Sequence, residues 1–278
     1  MQSIIHPSEL PSLPKENLIL IDAGSGTAAF NRYTQQHLAG ALYVDLDKDL
    51  AAIPADAKDG GRHPLPLPEK FGQLLGRLGI TPQSHVVVYD DKNGANAAAR
   101  FWWMLRAAGH GNVQVLNGGL QAAIAAGFLV ASGVEKATPV ADYPFMHWQL
   151  PLAGMDEVEA SALSDDHIVI DVRDANRYNG ITEPIDLVAG HIPGAVNIPL
   201  TDNLDANGLF LSPEVLREKY TAAIQGVDAK NIIVHCGSGV TACHTILAMD
   251  YAGLPIAKLY VGSWSEWSRN GKKIAAGN

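Results

Sequence analysis

One short run carries the clearest chemical signal in the sequence, Cys236-Gly237-Ser238-Gly239-Val240-Thr241. The apolar run Ile232–Val234 that precedes it is typical of a buried strand, and a helical pattern begins near Thr241. A cysteine at the carboxyl end of a parallel strand lies where open α/β sheets bind their ligands. The glycines let the backbone N–H groups of the loop converge on the sulfur, and the helix N-terminus adds positive potential. Both effects favour the thiolate, so the run predicts a nucleophilic Cys236.

Other kinds of cysteine chemistry fit the sequence less well. Cys243, the second of only two cysteines, falls two turns into the helix and is expected to be packed and inert. Two cysteines are too few for a disulfide scaffold, and without a Cys-x-x-Cys pair a zinc site and a dithiol redox centre are excluded. Cysteine phosphatases use a similar strand, loop and helix, but they need an arginine six residues after the nucleophile to clamp phosphate. Ala242 stands there, which argues against a phosphatase.

The elements that position this loop occur twice. Four blocks recur in the same order about 150 residues apart, which indicates a tandem duplication. Short runs rich in Ile and Val alternate with helical patterns, as in α/β domains whose mostly parallel sheets carry helices on both faces. The helical patterns include the apolar spacing of Phe71, Leu74, Leu75 and Leu78, and Ser212-Pro213 as a helix start. We predict an N-terminal domain over 1–131, a linker over 132–154 and a C-terminal domain over 155–278.

The two copies differ at the cysteine. Asp90 occupies the position equivalent to Cys236, and Asp91-Lys92-Asn93 follows it in place of the glycine-bearing loop. An aspartate there would repel an anion. The N-terminal domain is therefore expected to be catalytically inactive.

Composition limits the partners and the compartment. The chain has 278 residues, 47% of them hydrophobic, with 20 basic and 29 acidic side chains and a net charge of −9. This balance disfavours nucleic acid and membrane surfaces as partners. No apolar run approaches the roughly 18 residues of a membrane span, and the first residues lack a signal-peptide pattern. We expect a soluble, cytoplasmic protein.

Three motifs together resemble a known family. The run from Cys236 to Thr241, Gly262-Ser263-Trp264-Ser265-Glu266-Trp267, and Gly190-His191-Ile192-Pro193-Gly194-Ala195 are similar to motifs of the tandem-domain rhodanese and 3-mercaptopyruvate sulfurtransferases. The resemblance implies two rhodanese-like domains, the second of them catalytic, and a persulfide intermediate on Cys236. It implies a small-molecule sulfur donor and an acceptor that is a thiol, such as thioredoxin or glutathione, or cyanide. No metal or organic cofactor is expected, and a monomer is expected because the duplication already builds an internal pseudo-dimer.

The same resemblance assigns the donor and its proton chemistry. Rhodanese proper has two basic residues after its cysteine, which suit the thiosulfate dianion, whereas the loop here is uncharged and resembles that of the mercaptopyruvate enzymes. Loss of sulfur from mercaptopyruvate leaves an enolate that needs a proton. The resemblance assigns this proton relay to Ser238, His63 and Asp47, with Asp45 as an alternative to Asp47 two residues away.

The substrate-binding residues implied by the family are Arg177 and the loop residues Gly237, Gly239, Val240 and Thr241. A guanidinium suits a carboxylate or a sulfonate, and the following Tyr178-Asn179-Gly180 favours Arg177 over Arg173. The chain departs from the mercaptopyruvate type in two places. Asp186 stands, without a gap, where a second arginine is usual, and Val261 stands where an aspartate is usual.

These departures leave alternatives for the function. Mercaptopyruvate is the preferred donor, and thiosulfate is the alternative. A non-catalytic sulfur carrier or redox-sensing thiol protein is a more remote hypothesis, because Arg177, Ser238 and His63 are all present. A purely structural duplicated domain is the least favoured.

Overall fold

A computed structural model describes residues 1–277, and the chain divides into two compact units. The first unit contains Met1–Ala52, Leu65–Gln149 and Ala206–Leu209. The second contains Ile53–Pro64, Leu150–Asp205 and the chain from Phe210 onward. Within the described residues, no helix is both long enough and apolar enough to cross a membrane.

The first unit is built on a five-stranded parallel sheet in the order β1-β6-β5-β2-β4, and β3 pairs antiparallel with β7 outside it. Every residue of the central strand β5 is buried, as expected where both faces of a parallel sheet are covered. The elements are β1 (Ile4–Ile5), β2 (Leu18–Gly24), α1 (Gly26–Gln35), β3 (His37–Leu38), β4 (Leu42–Asp45), α2 (Leu46–Asp49), α3 (Pro68–Arg77), β5 (His85–Tyr89), α4 (Ala97–Ala107), β6 (Val113–Leu116), α5 (Gly119–Ala125) and β7 (Val130–Ala131), with a 3-10 helix at Pro7–Ser12.

The second unit has a four-stranded parallel sheet in the order β11-β10-β8-β9. His235 on β10 pairs with Asp171 on β8, and Val234 pairs with Leu259 on β11, so the loops after these three strands leave from the same edge. The elements are α6 (Met155–Ser161), β8 (Ile168–Asp171), α7 (Ala175–Tyr178), β9 (Val196–Asn197), α8 (Pro213–Ile224), β10 (Ile232–His235), α9 (Ala242–Tyr251), β11 (Lys258–Leu259) and α10 (Ser263–Trp267), with 3-10 helices at Leu200–Asn203 and Ala229–Asn231.

The helix signals in the sequence act as expected. The Ser212 hydroxyl accepts the N–H of Val215 at 3.4 Å, and Pro213 opens α8. Phe71, Leu74 and Leu75 form the buried side of α3. The predicted fold class, α/β with mostly parallel sheets and helices in both copies, is confirmed.

The compact units do not follow the single linker predicted over 132–154. Residues 132–149 belong to the first unit, where the N–H of Tyr143 donates to the carbonyl of Gly72 at 3.0 Å. Segment Ile53–Pro64, which lies inside the first repeat of the sequence, belongs to the second unit. Its Gly60 N–H donates to Glu266 Oε1 at 3.1 Å. Contacts distant in sequence set this division, and the order of the repeats does not reveal them.

In the first unit, Asp90 occupies the position of the cysteine and fills its own loop. The buried carboxylate accepts the backbone N–H groups of Lys92 and Gly94 on Oδ1, at 2.9 and 2.8 Å. Its Oδ2 accepts those of Asn96 and Ala98, both at 3.1 Å. The four N–H groups are therefore satisfied by the protein's own anion, and this loop is a closed structural motif.

Replacement of Asp90 by alanine tests this role. Asp90→Ala leaves four N–H groups without their acceptor, two of them buried (Gly94 and Ala98) and two part-buried, and we expect the unfolding free energy to fall by about 3 kcal/mol. Urea denaturation of the purified protein measures the loss. The neighbouring Asp91→Ala is the control, because the half-exposed Asp91 makes only a 3.6 Å ion pair with Arg32 and should cost about 0.5 kcal/mol. Equal losses in the two variants would contradict the argument.

Candidate active site

Cys236 lies at the end of β10 with both of its peptide groups fixed. Its N–H donates to the Ser263 hydroxyl at 3.1 Å, and its carbonyl accepts the N–H of Trp264 at 3.0 Å. The carbonyl of Gly237 accepts the N–H of Ser265 at 2.9 Å. The motif at the start of α10 therefore holds the cysteine loop in place, and the Cys236 thiol is free and only 1% exposed.

The loop after the cysteine depends on Gly239. This residue has φ +71°, and a Cβ there would lie 2.4 Å from the carbonyl oxygen of Val261. Only glycine combines that backbone conformation with so close an approach. Within residues 1–277, the N–H groups of Ser238, Val240 and Thr241 donate to no protein acceptor. They precede the N-terminus of α9 and form a set of donors for an anion near Cys236.

The predicted proton-relay residues fall into the two units. Ser238 Oγ and His63 Nδ1 are 2.8 Å apart and share a hydrogen bond within the second unit. Asp47 lies on α2 of the first unit, where its Oδ2 accepts the Ser25 hydroxyl at 3.3 Å. The alternative, Asp45, caps α2 by accepting the N–H groups of Asp47 and Lys48.

The two candidate arginines have different roles. Arg173 is 3% exposed, donates from Nη2 to Asp171 at 2.6 Å and stacks 4.5 Å from the Trp264 ring centre. It is a structural residue of the buried sheet edge. Arg177 instead lies beside the cysteine loop, because its Nη2 and Nη1 are 3.5 and 3.7 Å from the Cβ position of Gly237. This placement favours Arg177 as the substrate-binding arginine.

Two carboxylates hold Arg177. Glu183 accepts its Nε and Nη2 at 3.0 and 2.8 Å, and Asp186 accepts Nη2 at 3.3 Å. Burial raises the pKa of Glu183, but the hydrogen bonds from Arg177 and from the N–H groups of Asp186 and Ile185 outweigh it. The pKa of Glu183 therefore lies below its usual value. Glu183 is ionised at neutral pH and fixes the direction of the Arg177 guanidinium.

Sequence reasoning missed Arg62, which immediately precedes His63. Its Nη2 lies 3.2 Å from the Cβ position of Gly237, and its Nη1 donates to Asp186. The sequence gives no direct sign of this placement, since Arg62 and Gly237 are distant along the chain. Asp186 itself is buried and neutralised by arginines, so its acidic character is not presented to a substrate.

The remaining expectations concern the second cysteine and the side chains that could bind a metal ion. Cys243 is buried in α9, where its thiol donates to the carbonyl of Gly239 at 3.4 Å, as a packed cysteine would. Across the part of the chain that the structure describes, His, Cys, Asp and Glu side chains form no cluster of three or more suited to a metal ion.

Comparison with known proteins identifies the family. The model of the rhodanese-like domain matches residues 7–126 and again residues 155–270. The chain belongs to the rhodanese-like family, with two copies of the domain in tandem.

Relatives span most of the chain. A Pseudomonas aeruginosa protein named "probable 3-mercaptopyruvate sulfurtransferase" is 40% identical, over 88% of this chain and 85% of its own. The thiosulfate sulfurtransferase of Mus musculus is 36% identical, over 87% of this chain and 80% of its own. The structure of 3-mercaptopyruvate sulfurtransferase from Leishmania major superposes with a TM-score of 0.83 at 31% identity, over 96% of this chain and 74% of its own. Both donor types thus occur among similar proteins.

Gly239 provides a test of the loop geometry. Gly239→Ala adds left-handed backbone strain and a collision with the Val261 carbonyl, whereas Gly226→Ala at φ +82° has nothing within 4 Å and adds the strain alone. We expect Gly226→Ala to cost about 1 kcal/mol and Gly239→Ala about 2 kcal/mol more. Urea denaturation compares the two variants. If both lose the same amount, the close approach at Gly239 does not constrain the loop.

Proposed function

We propose that this chain transfers a sulfur atom from 3-mercaptopyruvate, through a persulfide on Cys236, to a thiol or to cyanide, and releases pyruvate. The observation that carries the proposal is the 2.8 Å hydrogen bond between Ser238 and His63 in the loop that follows Cys236. It supplies a hydroxyl and an imidazole, the groups that protonation of a carbon leaving group needs. The loop itself adds no basic side chain that would suit a dianion.

That the chain is a sulfurtransferase follows from its relatives. Similar proteins over more than four-fifths of the chain are sulfurtransferases, and both rhodanese-like domains are present. What remains to be proposed is the donor, the acceptor and the role of each residue.

In the first step, one S–S bond forms and one C–S bond breaks. The Cys236 thiolate attacks the thiol sulfur of mercaptopyruvate, the new S–S bond forms, and the electron pair of the C–S bond moves to C3 as an enolate. The proton of the donor thiol ends on C3, which gives pyruvate and Cys236–S–S⁻. In the second step, a thiol R–SH takes the outer sulfur as R–S–SH, or cyanide takes it as thiocyanate, and the Cys236 thiolate returns.

Ser238 and His63 are assigned to the transfer of the proton to the enolate. Ser238 lies two residues after Cys236, and His63 is hydrogen-bonded to its hydroxyl. We assign Asp47 to orienting this pair, as the family resemblance implies. A relay of this kind protonates the enolate as the C–S bond breaks, so the unstable carbanion does not accumulate.

Arg177 and the cysteine loop are assigned to binding the two anions, which are the donor carboxylate and the persulfide. Arg177 binds the donor carboxylate through Nη1, because Glu183 and Asp186 already accept its Nε and Nη2. The backbone of Gly237, Gly239 and Val240, together with Thr241, surrounds the persulfide. Donors that are already fixed where charge develops stabilise it without reorganisation.

Thiosulfate is the second candidate donor. The 36% identity to the mouse thiosulfate sulfurtransferase favours it. In that reaction, Cys236 takes the outer sulfur and sulfite leaves as a stable anion, so no proton relay is needed. A sulfur carrier or thiol sensor without turnover is a remoter hypothesis.

We assign the acceptor to small thiols or thioredoxin-like proteins, with cyanide as a further acceptor. The persulfide route requires a reduced Cys236, and within residues 1–277 neither cysteine is in a disulfide. This supports a reducing compartment, and the cytoplasm is the compartment we propose. We propose a monomer, with the first domain catalytically inactive because Asp90 stands in place of a cysteine.

The persulfide is tested by mass spectrometry of the intact protein. After incubation with mercaptopyruvate and no acceptor, the wild type should gain the mass of one sulfur atom, which an acceptor thiol removes. Cys236→Ser should gain none, and Cys243→Ser should behave as the wild type because Cys243 is buried in α9. Loading of the Cys236→Ser protein would contradict the assigned nucleophile.

Ser238 separates the two donors. In Ser238→Ala we expect kcat with mercaptopyruvate to fall about 100-fold, because the enolate loses its proton relay. With thiosulfate on the same protein, the change should be less than about threefold, since sulfite leaves without protonation. Steady-state assays with both donors at one acceptor concentration measure this. Equal losses with both donors would show that Ser238 shapes the loop and does not supply a relay.

A further inference from the structure

Arg62 has a backbone that is fixed by α10. Its N–H donates to Ser265 Oγ at 3.0 Å, and Ser265 Oγ donates to the carbonyl of Gly262 at 3.0 Å. The preceding Gly61 has φ +86°, and a Cβ there would lie 2.4 Å from that same carbonyl oxygen. The chain at Arg62 is therefore attached to the element that also holds the peptide groups of Cys236.

Its side chain reaches the residue after the nucleophile. Arg62 Nη2 lies 3.2 Å and Arg177 Nη2 lies 3.5 Å from the Cβ position of Gly237. Two guanidinium groups thus lie beside the first residue of the loop. Any side chain at position 237 would enter the space next to both of them, and the glycine keeps that space open.

Asp186 holds the two guanidinium groups together. Arg62 Nη1 donates to its Oδ1, and Arg177 Nη2 donates to its Oδ2 at 3.3 Å. Arg269 Nη1 also donates to Oδ1 at 3.0 Å. The side chain of Asp186 is 0% exposed, and those of Arg62 and Arg177 are 24% and 15% exposed. A buried carboxylate offsets the repulsion between like charges that would otherwise separate them.

The charges in this cluster leave one positive charge. Arg62, Arg177 and Arg269 face the two carboxylates of Asp186 and Glu183. Arg173 also contacts Glu183, and its own charge is offset by Asp171. A singly charged carboxylate would neutralise the excess, whereas a dianion would exceed it.

We propose that Arg62 is a second substrate-binding residue, which takes the donor carboxylate together with Arg177, and that Asp186 sets the site to one net positive charge. The inference rests on the proposed function and deepens it. A bound carboxylate would lie beside Gly237 with a guanidinium on either side. Asp186 stands where a second arginine is usual in the sequence. Its carboxylate aligns Arg62 and Arg177, so the site still contains two arginines.

Binding of pyruvate, the proposed product, tests Arg62 without turnover. Calorimetry should show that Arg62→Met weakens pyruvate binding about tenfold, from the loss of one charged hydrogen-bond donor. Arg62→Lys should recover part of it, because the charge returns without the planar pair of donors. The matched control is Arg217→Met, which also removes one arginine from the second unit but lies outside this cluster. Arg217 Nε donates to the carbonyl of Ala252 at 2.7 Å, and its loss should change the pyruvate Kd less than about threefold.

The outcomes separate this proposal from the proposed function. Equal weakening in Arg62→Met and Arg217→Met, or no weakening in Arg62→Met, overturns the role of Arg62. Failure of the wild type to form a persulfide from mercaptopyruvate overturns the proposed function, while the pyruvate comparison still decides the role of Arg62.

Asp186→Asn tests the charge argument on turnover. The substitution raises the net charge of the cluster from one to two, and we expect the ratio of kcat/KM for thiosulfate to that for mercaptopyruvate to rise about tenfold. Circular dichroism verifies that the variant is folded. An unchanged or reduced ratio in the folded protein overturns the claim that Asp186 limits the site to a singly charged donor.

Discussion

Three hydrogen bonds between the start of α10 and the cysteine loop fix the backbone of Cys236, the proposed nucleophile. They join Ser263, Trp264 and Ser265 to the peptide groups of Cys236 and Gly237. Because β10 and β11 are neighbours in a parallel sheet, their carboxyl ends meet, and the two loops can share these bonds. With both of its peptide groups anchored, the backbone of Cys236 has little freedom to lose when a ligand binds beside it.

The same turn organises the charged part of the site. Ser265 accepts the N–H of Arg62 and so connects segment Ile53–Pro64 to α10. Desolvating a cluster of arginines and carboxylates is costly unless each charge has a partner. Here the carboxylates of Asp186 and Glu183 each contact two or more arginines, and Arg62, Arg177 and Arg269 keep partial exposure. The same ion pairs therefore set both the net charge of the cluster and the positions of its arginines.

The fold class and the cysteine loop could be predicted from the sequence, because the patterns that indicate them are contiguous in the chain or occur twice. The strand before Cys236, the glycine-bearing loop and the helix after it are contiguous, and the duplication supplied the fold class. Arg177 lies near the cysteine loop, and His63 contacts Ser238 of that loop.

What escaped prediction depends on contacts between distant residues. Arg62 had no pattern of its own, and a linear comparison showed Asp186 only as a missing arginine. The membership of Ile53–Pro64 in the second unit depends on hydrogen bonds to Ser265 and Glu266, which no periodicity reveals.

Segment Ile53–Pro64 has a consequence for how the gene can evolve. It is encoded within the first repeat, yet it supplies His63 and Arg62 to the unit that carries Cys236. A gene fragment that encodes only the second repeat would yield the cysteine loop without its histidine partner. A substitution within Ile53–Pro64 of the first repeat therefore changes the surroundings of the cysteine loop, even though the first repeat has no thiol at its own loop. The two repeats therefore cannot replace one another, because the surroundings of the cysteine loop are encoded in both of them.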